Sequence, residues 1–178
     1  MEIKIIGDRI YLKEMNEVDA IKLHEHSKEP KLNEFSGPYQ ASDSIEKALE
    51  YINNSKKNIL ERKSYILGIY EKRTEELVGT IGFFDLDDKN KNGELGFWIA
   101  KNYWNKGYMT EAIKIMTNYI FTELGYHRIS AHFHELNKAV GRILSKAGYE
   151  KEGELKEAIK SKEGKYYNEI IYGIVNPF

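Results

Sequence analysis

The sequence lacks cysteine altogether, which excludes disulfide bridges, thiolate metal sites, iron–sulfur clusters and cysteine nucleophiles. Proline is scarce as well, occurring only as Pro30, Pro38 and Pro177, so residues 39–176 contain no proline to interrupt a helix or a strand. No charge sign dominates, because 27 Lys+Arg stand against 28 Asp+Glu and the formal net charge is -1. This balance predicts neither nucleic acid nor an anionic membrane as the main partner.

Long apolar runs are also missing, and none approaches the ~20 residues that a membrane-spanning helix needs. The first nine residues place charges inside a short apolar stretch without a small-residue cleavage site, so we expect no secretory signal. No repeat, linker or low-complexity tract divides the chain. With 41% hydrophobic residues, the sequence predicts one cytoplasmic domain over residues 1–178.

Hydrophobic periodicity and glycine positions predict the order β-α-α-β-β-β-α-β-α-β-β. The predicted strands are residues 10–12, 65–70, 77–85, 93–100, 128–134, 149–155 and 166–175. The predicted helices are residues 16–28, 43–62, 107–124 and 137–147. Asp43 with Glu46 resembles a capping box for the second helix, and Gly148 ends the fourth. This order predicts an α+β, mixed α/β fold in which helices flank a central, mostly antiparallel sheet.

One strand, helix, strand run, residues 93–134, predicts a parallel pair, and a ligand is expected where such a pair opens. In this run Gly107 stands at the point where a strand passes directly into a helix. The first N–H groups of a helix lack internal partners and its dipole is positive there, which together favour an anion. Gly107 would let the backbone approach a phosphate closely, and Lys106 adds positive charge. The alternative is an ordinary strand-to-helix turn.

Residues 98–112, together with residues 137–149 and Glu152-Gly153, resemble the GNAT superfamily of N-acetyltransferases, and most closely its RimJ/RimL-like branch. The resemblance covers nearly the whole chain, including the order of elements. The pyrophosphate pattern of the family places Trp104 at its first position, Gly107 at its glycine and Met109 at its last position. Met109 departs from the Gly or Ala that is usual there.

The resemblance implies acetyl-CoA as the donor, and the spacing of the possible ligands in the sequence predicts no metal. It places the pyrophosphate on backbone N–H groups of residues 105–110 and the pantetheine arm beside the strand that ends at residue 100, where two strands splay. The same N–H groups could polarise the acetyl carbonyl. The implied donor-binding residues are Trp98, Ile99, Ala100, Trp104, Asn105, Lys106, Gly107, Tyr108, Met109, Thr110 and Asn137.

Glu94 is the candidate catalytic base. Strand alternation puts Glu94 on one face with Gly96 and Trp98. An amine acceptor is mostly protonated at neutral pH, and a carboxylate within reach, directly or through water, can take its proton. The position also matches that of the catalytic glutamate in histone-type members of the superfamily. The alternative is a solvated glutamate at a strand edge.

No residue is assigned as the acid that would protonate the departing thiolate. Relatives often carry a Tyr where this chain has Leu144, or a Ser where it has Val140. Ser145 would lie about 80° away from Asn137 around the helix. Solvent, Tyr39 or Tyr167 could serve, or the thiolate could leave unprotonated, since a thiol has a pKa of only about 8.5.

Tyr39 and Tyr167 are the candidate acceptor-binding residues, because they lie in segments that flank the acceptor cleft in similar proteins and aromatic rings bind cationic amines. His132 and His134 share one strand face. They could hold a metal, but solvated or cleft-lining histidines are the favoured interpretation.

Two functions remain open from the sequence. The first is transfer of an acetyl group from acetyl-CoA to a primary amine, such as a protein N-terminus, a polyamine or another small amine, in a ternary complex. The second is an acyl-CoA-binding regulatory module with weak or no turnover, which Val140, Leu144 and Met109 suggest. Many similar proteins form homodimers, but no segment of this chain establishes one.

Overall fold

The computed structural model describes residues 2–30, 43–161 and 163–177, and within these ranges eight strands form one sheet in the order β1-β2-β3-β4-β5-β6-β8-β7. The strands are β1 (Lys4–Ile6), β2 (Ile10–Lys13), β3 (Tyr65–Glu71), β4 (Leu77–Asp87), β5 (Asn92–Ile99), β6 (Arg128–His134), β7 (Glu150–Lys160) and β8 (Tyr166–Val175). The helices with both ends in these ranges are α1 (Ala20–Ser27), α2 (Ile45–Leu60), α3 (Tyr108–Thr122) and α4 (Lys138–Lys146). The predicted fold class is confirmed.

Helices cover both faces of the sheet, and each face has its own hydrophobic core. Leu95 and Ile129 of the sheet pack with Met116 of α3 in the first core. On the other face, Trp98 belongs to a second core with Leu23 of α1. Alternation along β5 therefore sends neighbouring side chains into different cores, as the sequence predicts. None of the described helices is both long and apolar enough to cross a bilayer.

Several details differ from the sequence prediction, and three of them have a clear physical reason. β1 was not predicted, because it has only three residues and none of them is fully buried. Helix α2 is capped by Ser44 rather than Asp43, since Ser44 has extended backbone angles and its Oγ accepts the N–H of Lys47. β7 continues to Lys160, beyond the predicted end, because pairing with β8 holds a polar segment that has no buried face.

The strands β5 and β6 form the only parallel pair among the described strands, and their pairing is short. It covers Asn92, Gly93 and Glu94 of β5, with Glu94 opposite Ser130. Beyond this point β5 continues to Ile99 without pairing to β6, while β4 covers its other edge. The sheet thus opens between β5 and β6, at the place where the sequence predicts a ligand.

Candidate active site

A cavity of about 540 Å³ lies beside the unpaired part of β5, between the start of α3 and the helix α4. Such a volume is typical of small-molecule sites. Most of the predicted donor-binding residues form part of its wall. They are Trp98, Ile99, Trp104, Asn105, Gly107, Tyr108, Met109, Thr110 and Asn137.

The turn before α3 has the backbone geometry of an anion site. Asn105 and Gly107 both have positive φ angles, of 60° and 79°, whereas Lys106 between them does not. Alternation of this kind brings successive N–H groups into one concave surface. The N–H groups of residues 105–110 make no hydrogen bond within the described residues. The segment can therefore offer a run of donors to an anion at the positive end of the α3 dipole.

Met109 is accommodated because its side chain is buried in the first core, although the residue also forms part of the cavity wall. It is 5% exposed and belongs to the first core, with Ala112 and Ile113 of the same helix. A large residue at the last position of the pyrophosphate pattern therefore fills the core and leaves the N–H surface open. The departure from Gly or Ala does not obstruct the turn.

Ala100 and Lys106 were also predicted to bind the donor, but neither lines the cavity. The N–H of Ala100 donates to the carbonyl of Val78, with an N···O distance of 2.7 Å, so it is already occupied by the neighbouring strand. The ammonium of Lys106 lies 5.1 Å from the ring centre of Tyr103. Lys106 therefore contributes charge near the turn rather than a surface of the cavity.

Two cationic residues in the wall, Arg142 and Lys146, were not predicted. They lie one helical turn apart on α4, so they share one face. This spacing was visible in the sequence, but only the folded structure brings that face to the cavity. Asn137 stands at the N-cap of α4, where its side chain makes no capping hydrogen bond. Its amide is therefore not held by the helix that it precedes.

Glu94 lies at the point where β5 and β6 begin to separate, and it does not line the cavity. It is the last residue of β5 that pairs with β6, and it shares the face of Trp98. Burial raises the pKa of this half-buried carboxyl above its ordinary value, His132 lowers it, and Asp85 and Glu169 raise it further. A carboxyl whose proton affinity is raised accepts a proton more readily, which suits a general base.

The other predicted residues of this face are packed together around the end of β6. The Nδ1 atom of His132 lies 3.6 Å from Oε2 of Glu169. His134 is buried, its Nδ1 accepts the N–H of Leu136, and its ring centre is 4.6 Å from that of Tyr167. Among the described residues no three His, Asp or Glu side chains form a group that could hold a metal. Tyr39 lies outside the described residues.

Neither residue at the usual acid positions can donate a proton. Leu144 is completely buried in the first core, and Val140 forms part of the cavity wall. The hydroxyl of Tyr108, which also lies in the wall, donates to Glu71 with an O···O distance of 2.8 Å. The Tyr108 hydroxyl therefore already donates its proton to a carboxylate outside the cavity wall.

Known proteins that resemble this chain are N-acetyltransferases. The family described as the acetyltransferase (GNAT) domain matches residues 9–150 of the chain. The uncharacterized N-acetyltransferase YoaA of Bacillus subtilis is 32% identical over 170 residues, which cover 96% of this chain and 95% of YoaA. The ribosomal protein uS5-alanine N-acetyltransferase of Escherichia coli is 25% identical over 64% of this chain and 59% of its own length.

Among solved structures, RimL, the ribosomal L7/L12 α-N-protein acetyltransferase in complex with coenzyme A, has the same fold. Its TM-score is 0.87 at 17% sequence identity, and the alignment covers 97% of this chain and 98% of RimL. At this identity the likeness concerns the fold alone.

Proposed function

The chain belongs to the GNAT acetyltransferase family, in its RimJ/RimL-like branch, and we propose that it transfers acetyl from acetyl-CoA to a primary amine by direct attack in a ternary complex. The observation that carries this proposal is the run of unpartnered N–H groups at residues 105–110, in the wall of a cavity beside an open strand edge. One sheet takes strands from both ends of the described sequence, which supports a single N-acetyltransferase domain over residues 1–178.

The N–H groups of residues 105–110 bind the pyrophosphate of the donor in this proposal. Each N–H that lacks a protein partner can donate to a phosphate oxygen, and such charge-assisted bonds are stronger than neutral ones. Gly107 and Asn105 supply the left-handed conformations that bring the donors together. Arg142 and Lys146 add positive charge across the cavity for the phosphates of the same ligand.

The pantetheine arm lies along the unpaired edge of β5. Backbone groups of successive residues in a strand point to alternate edges. Since the N–H of Ala100 points to β4, the backbone groups of Phe97 and Ile99 point into the opening. The indole Nε1 of Trp104 already donates to the carbonyl of Ile99 at 2.8 Å, so the N–H of Ile99 and the groups of Phe97 remain for the amides of the arm.

Glu94 takes the proton of the acceptor ammonium, directly or through a water molecule. The neutral amine then attacks the acetyl carbonyl, forming the amide bond as the bond from carbonyl carbon to sulfur breaks, and the second proton lost from its nitrogen passes to solvent. CoA leaves as a thiolate, whose ordinary pKa of about 8.5 permits release without an acid. The acceptor approaches from the Glu94 face of the sheet, while the donor occupies the α3 and α4 face, and the two meet in the opening.

An acceptor screen tests this proposal. The purified chain is mixed with acetyl-CoA and with peptides beginning in alanine or serine, with spermidine and with simple amines, while released CoA thiol is measured. We expect release with one of these classes, and the uS5 relative makes protein N-termini the first choice. Binding of acetyl-CoA without acetylation of any amine would instead support the regulatory acyl-CoA module.

The raised pKa of Glu94 gives a prediction for pH dependence. A base works only when deprotonated, so kcat/KM should fall as the pH drops through the pKa of this carboxyl, and the midpoint of that fall should lie above 4.5. The measurement is kcat/KM between pH 4 and 9 in a constant-ionic-strength buffer. A midpoint at or below 4.5 would remove Glu94 as the base.

The substitution Met109→Ala tests whether this side chain contributes to folding stability, to donor binding or to both. Removing a buried methionine side chain should lower the free energy of unfolding by about 2–4 kcal/mol. Affinity for acetyl-CoA should stay unchanged, because the side chain lies in the core and only the backbone N–H faces the ligand in our proposal. Urea unfolding and calorimetric titration measure the two quantities. Equal losses in both would place the side chain in the donor site.

A further inference from the structure

Arg9 lies between β1 and β2, outside every motif considered above, yet its side chain reaches the turn before α3. We propose that Arg9 and Glu111 are positioning residues that orient the peptide between Lys106 and Gly107, so that the Gly107 N–H is presented to the donor pyrophosphate. The inference rests on the proposed function, since it assigns a role within the same donor site.

Glu111 fixes Arg9 in place. One carboxylate oxygen, Oε1, accepts the backbone N–H of Arg9 at 2.8 Å and that of Ile10 at 3.3 Å. The other oxygen, Oε2, accepts Nε of the Arg9 side chain at 3.0 Å. The Glu111 side chain is only 14% exposed, because it lies between the first turn of α3 and the start of β2. Glu111 therefore holds Arg9 through both its backbone N–H and its guanidinium.

The guanidinium of Arg9 in turn holds one carbonyl of the turn. Its Nη1 donates to the carbonyl oxygen of Lys106 at 2.7 Å. In a trans peptide the carbonyl and the following N–H point in opposite directions. Fixing the Lys106 carbonyl towards Arg9 therefore points the Gly107 N–H away from Arg9. Gly107 belongs to the cavity wall and Arg9 does not, so this orientation directs the Gly107 N–H towards the cavity.

Tyr108 provides a second attachment on the other side of Gly107. Its ring lies 4.9 Å from the Arg9 guanidinium, and its hydroxyl donates to Glu71. Glu71 is 5% exposed and also accepts the hydroxyl of Thr74 at 2.8 Å. Contacts at residues 106 and 108 thus fix the backbone on both sides of Gly107. Asn105 and Gly107 of this turn have the uncommon left-handed conformation.

Loss of the Arg9 side chain should reduce the affinity for the donor more than the free energy of unfolding. The Arg9 side chain is 52% exposed, and ion pairs of this kind contribute little to folding. A peptide that rotates, however, would replace a donor in the pyrophosphate site with a carbonyl oxygen. Loss of Arg9 should therefore be seen chiefly in the affinity for acetyl-CoA.

The test is calorimetric titration of acetyl-CoA into Arg9→Met, Arg9→Lys and wild type. We expect Kd to rise about tenfold in Arg9→Met, the size of one lost charge-assisted hydrogen bond. Arg9→Lys keeps the charge but lacks the planar fork that reaches both Glu111 and Lys106, so its Kd should lie between the two. Arg128→Met is the matched control, since Arg128 pairs with Glu152 outside the cavity, and its Kd should equal that of wild type.

A second measurement reports on the orientation itself. On saturation with CoA, the Gly107 amide resonance of wild type should move downfield, and that of Arg9→Met should move much less. Equal Kd values and equal shifts in wild type and Arg9→Met would overturn the inference. Failure of wild type to bind CoA would instead overturn the proposed function. Should Arg9→Met fail to fold, Arg9→Lys and Glu111→Gln give the same comparison, and wild-type affinity in both would also overturn it.

Discussion

Replacing Glu94 with glutamine should lower kcat by about 10²–10³-fold, in the range that general bases contribute. Glutamine keeps the size and shape of the side chain but cannot accept a proton at neutral pH. Affinity for acetyl-CoA should not change, because Glu94 lies on the face opposite α3 and α4 and outside the cavity wall. Steady-state release of CoA thiol, with an amine found in the screen, measures the loss.

Glu50→Gln is the control for this change. Glu50 is an exposed residue of α2 that pairs only with Lys47 among the described contacts, and its replacement should leave kcat unchanged. The pH profile provides a further check, because the fall of kcat/KM on the acid side should disappear in Glu94→Gln. Full turnover by Glu94→Gln would exclude this carboxylate from proton transfer.

Replacing Gly107 with valine should weaken donor binding strongly. A left-handed φ of 79° costs an L-residue about 1–2 kcal/mol, and more when the side chain is β-branched. The new Cβ would also lie 3.2 Å from Nη2 of Arg9. The turn should therefore change conformation, and we expect Kd for acetyl-CoA to rise about 100-fold, equal to one or two charge-assisted hydrogen bonds.

Gly164→Val is the matched control. Gly164 has a similar φ of 85°, lies in the loop between β7 and β8, and has no heavy atom within 4 Å of an added Cβ. The two variants should lose similar stability in urea, whereas only Gly107→Val should lose affinity. Equal affinity in both variants would show that the turn before α3 does not bind the donor.

The sequence was sufficient to predict the turn and the opening at the proposed donor site because the signals there are local. Gly107 at a strand-to-helix junction predicts an anion site, and the periodicity of residues 93–134 predicts the parallel pair that opens beside it. Both features depend on residues close together in the chain. The left-handed conformation of Gly107 and the short pairing of β5 with β6 agree with these predictions.

Features that depend on distant contacts were not predictable in this way. Arg9 and Lys106 are 97 residues apart, and nothing in the spacing of either indicates that they meet. Arg142 and Lys146 have visible helical spacing, but their direction depends on how α4 packs against the sheet. The same limit applies to Glu94, since alternation gives its face but not its distance from the donor.

The separation of the two proposed half-sites is a consequence of the sheet. Side chains of β5 alternate between the two cores, and the sheet opens only after Glu94. A donor that binds on one face of the sheet can therefore meet an acceptor that binds on the opposite face. Neither ligand has to pass through the binding site of its partner. This arrangement favours direct transfer over a covalent acetyl-enzyme, for which the chain also lacks a cysteine.

Thermal unfolding with and without acetyl-CoA tests donor binding most directly, and every other assignment in the site depends on it. At a concentration one hundred times Kd, binding to the native state should add about 2.7 kcal/mol and raise Tm by roughly 5–10 °C. We predict this rise for wild type and a rise of only about 1 °C for Gly107→Val at the same concentration. An unchanged Tm for wild type at millimolar acetyl-CoA would contradict the donor site at residues 105–110.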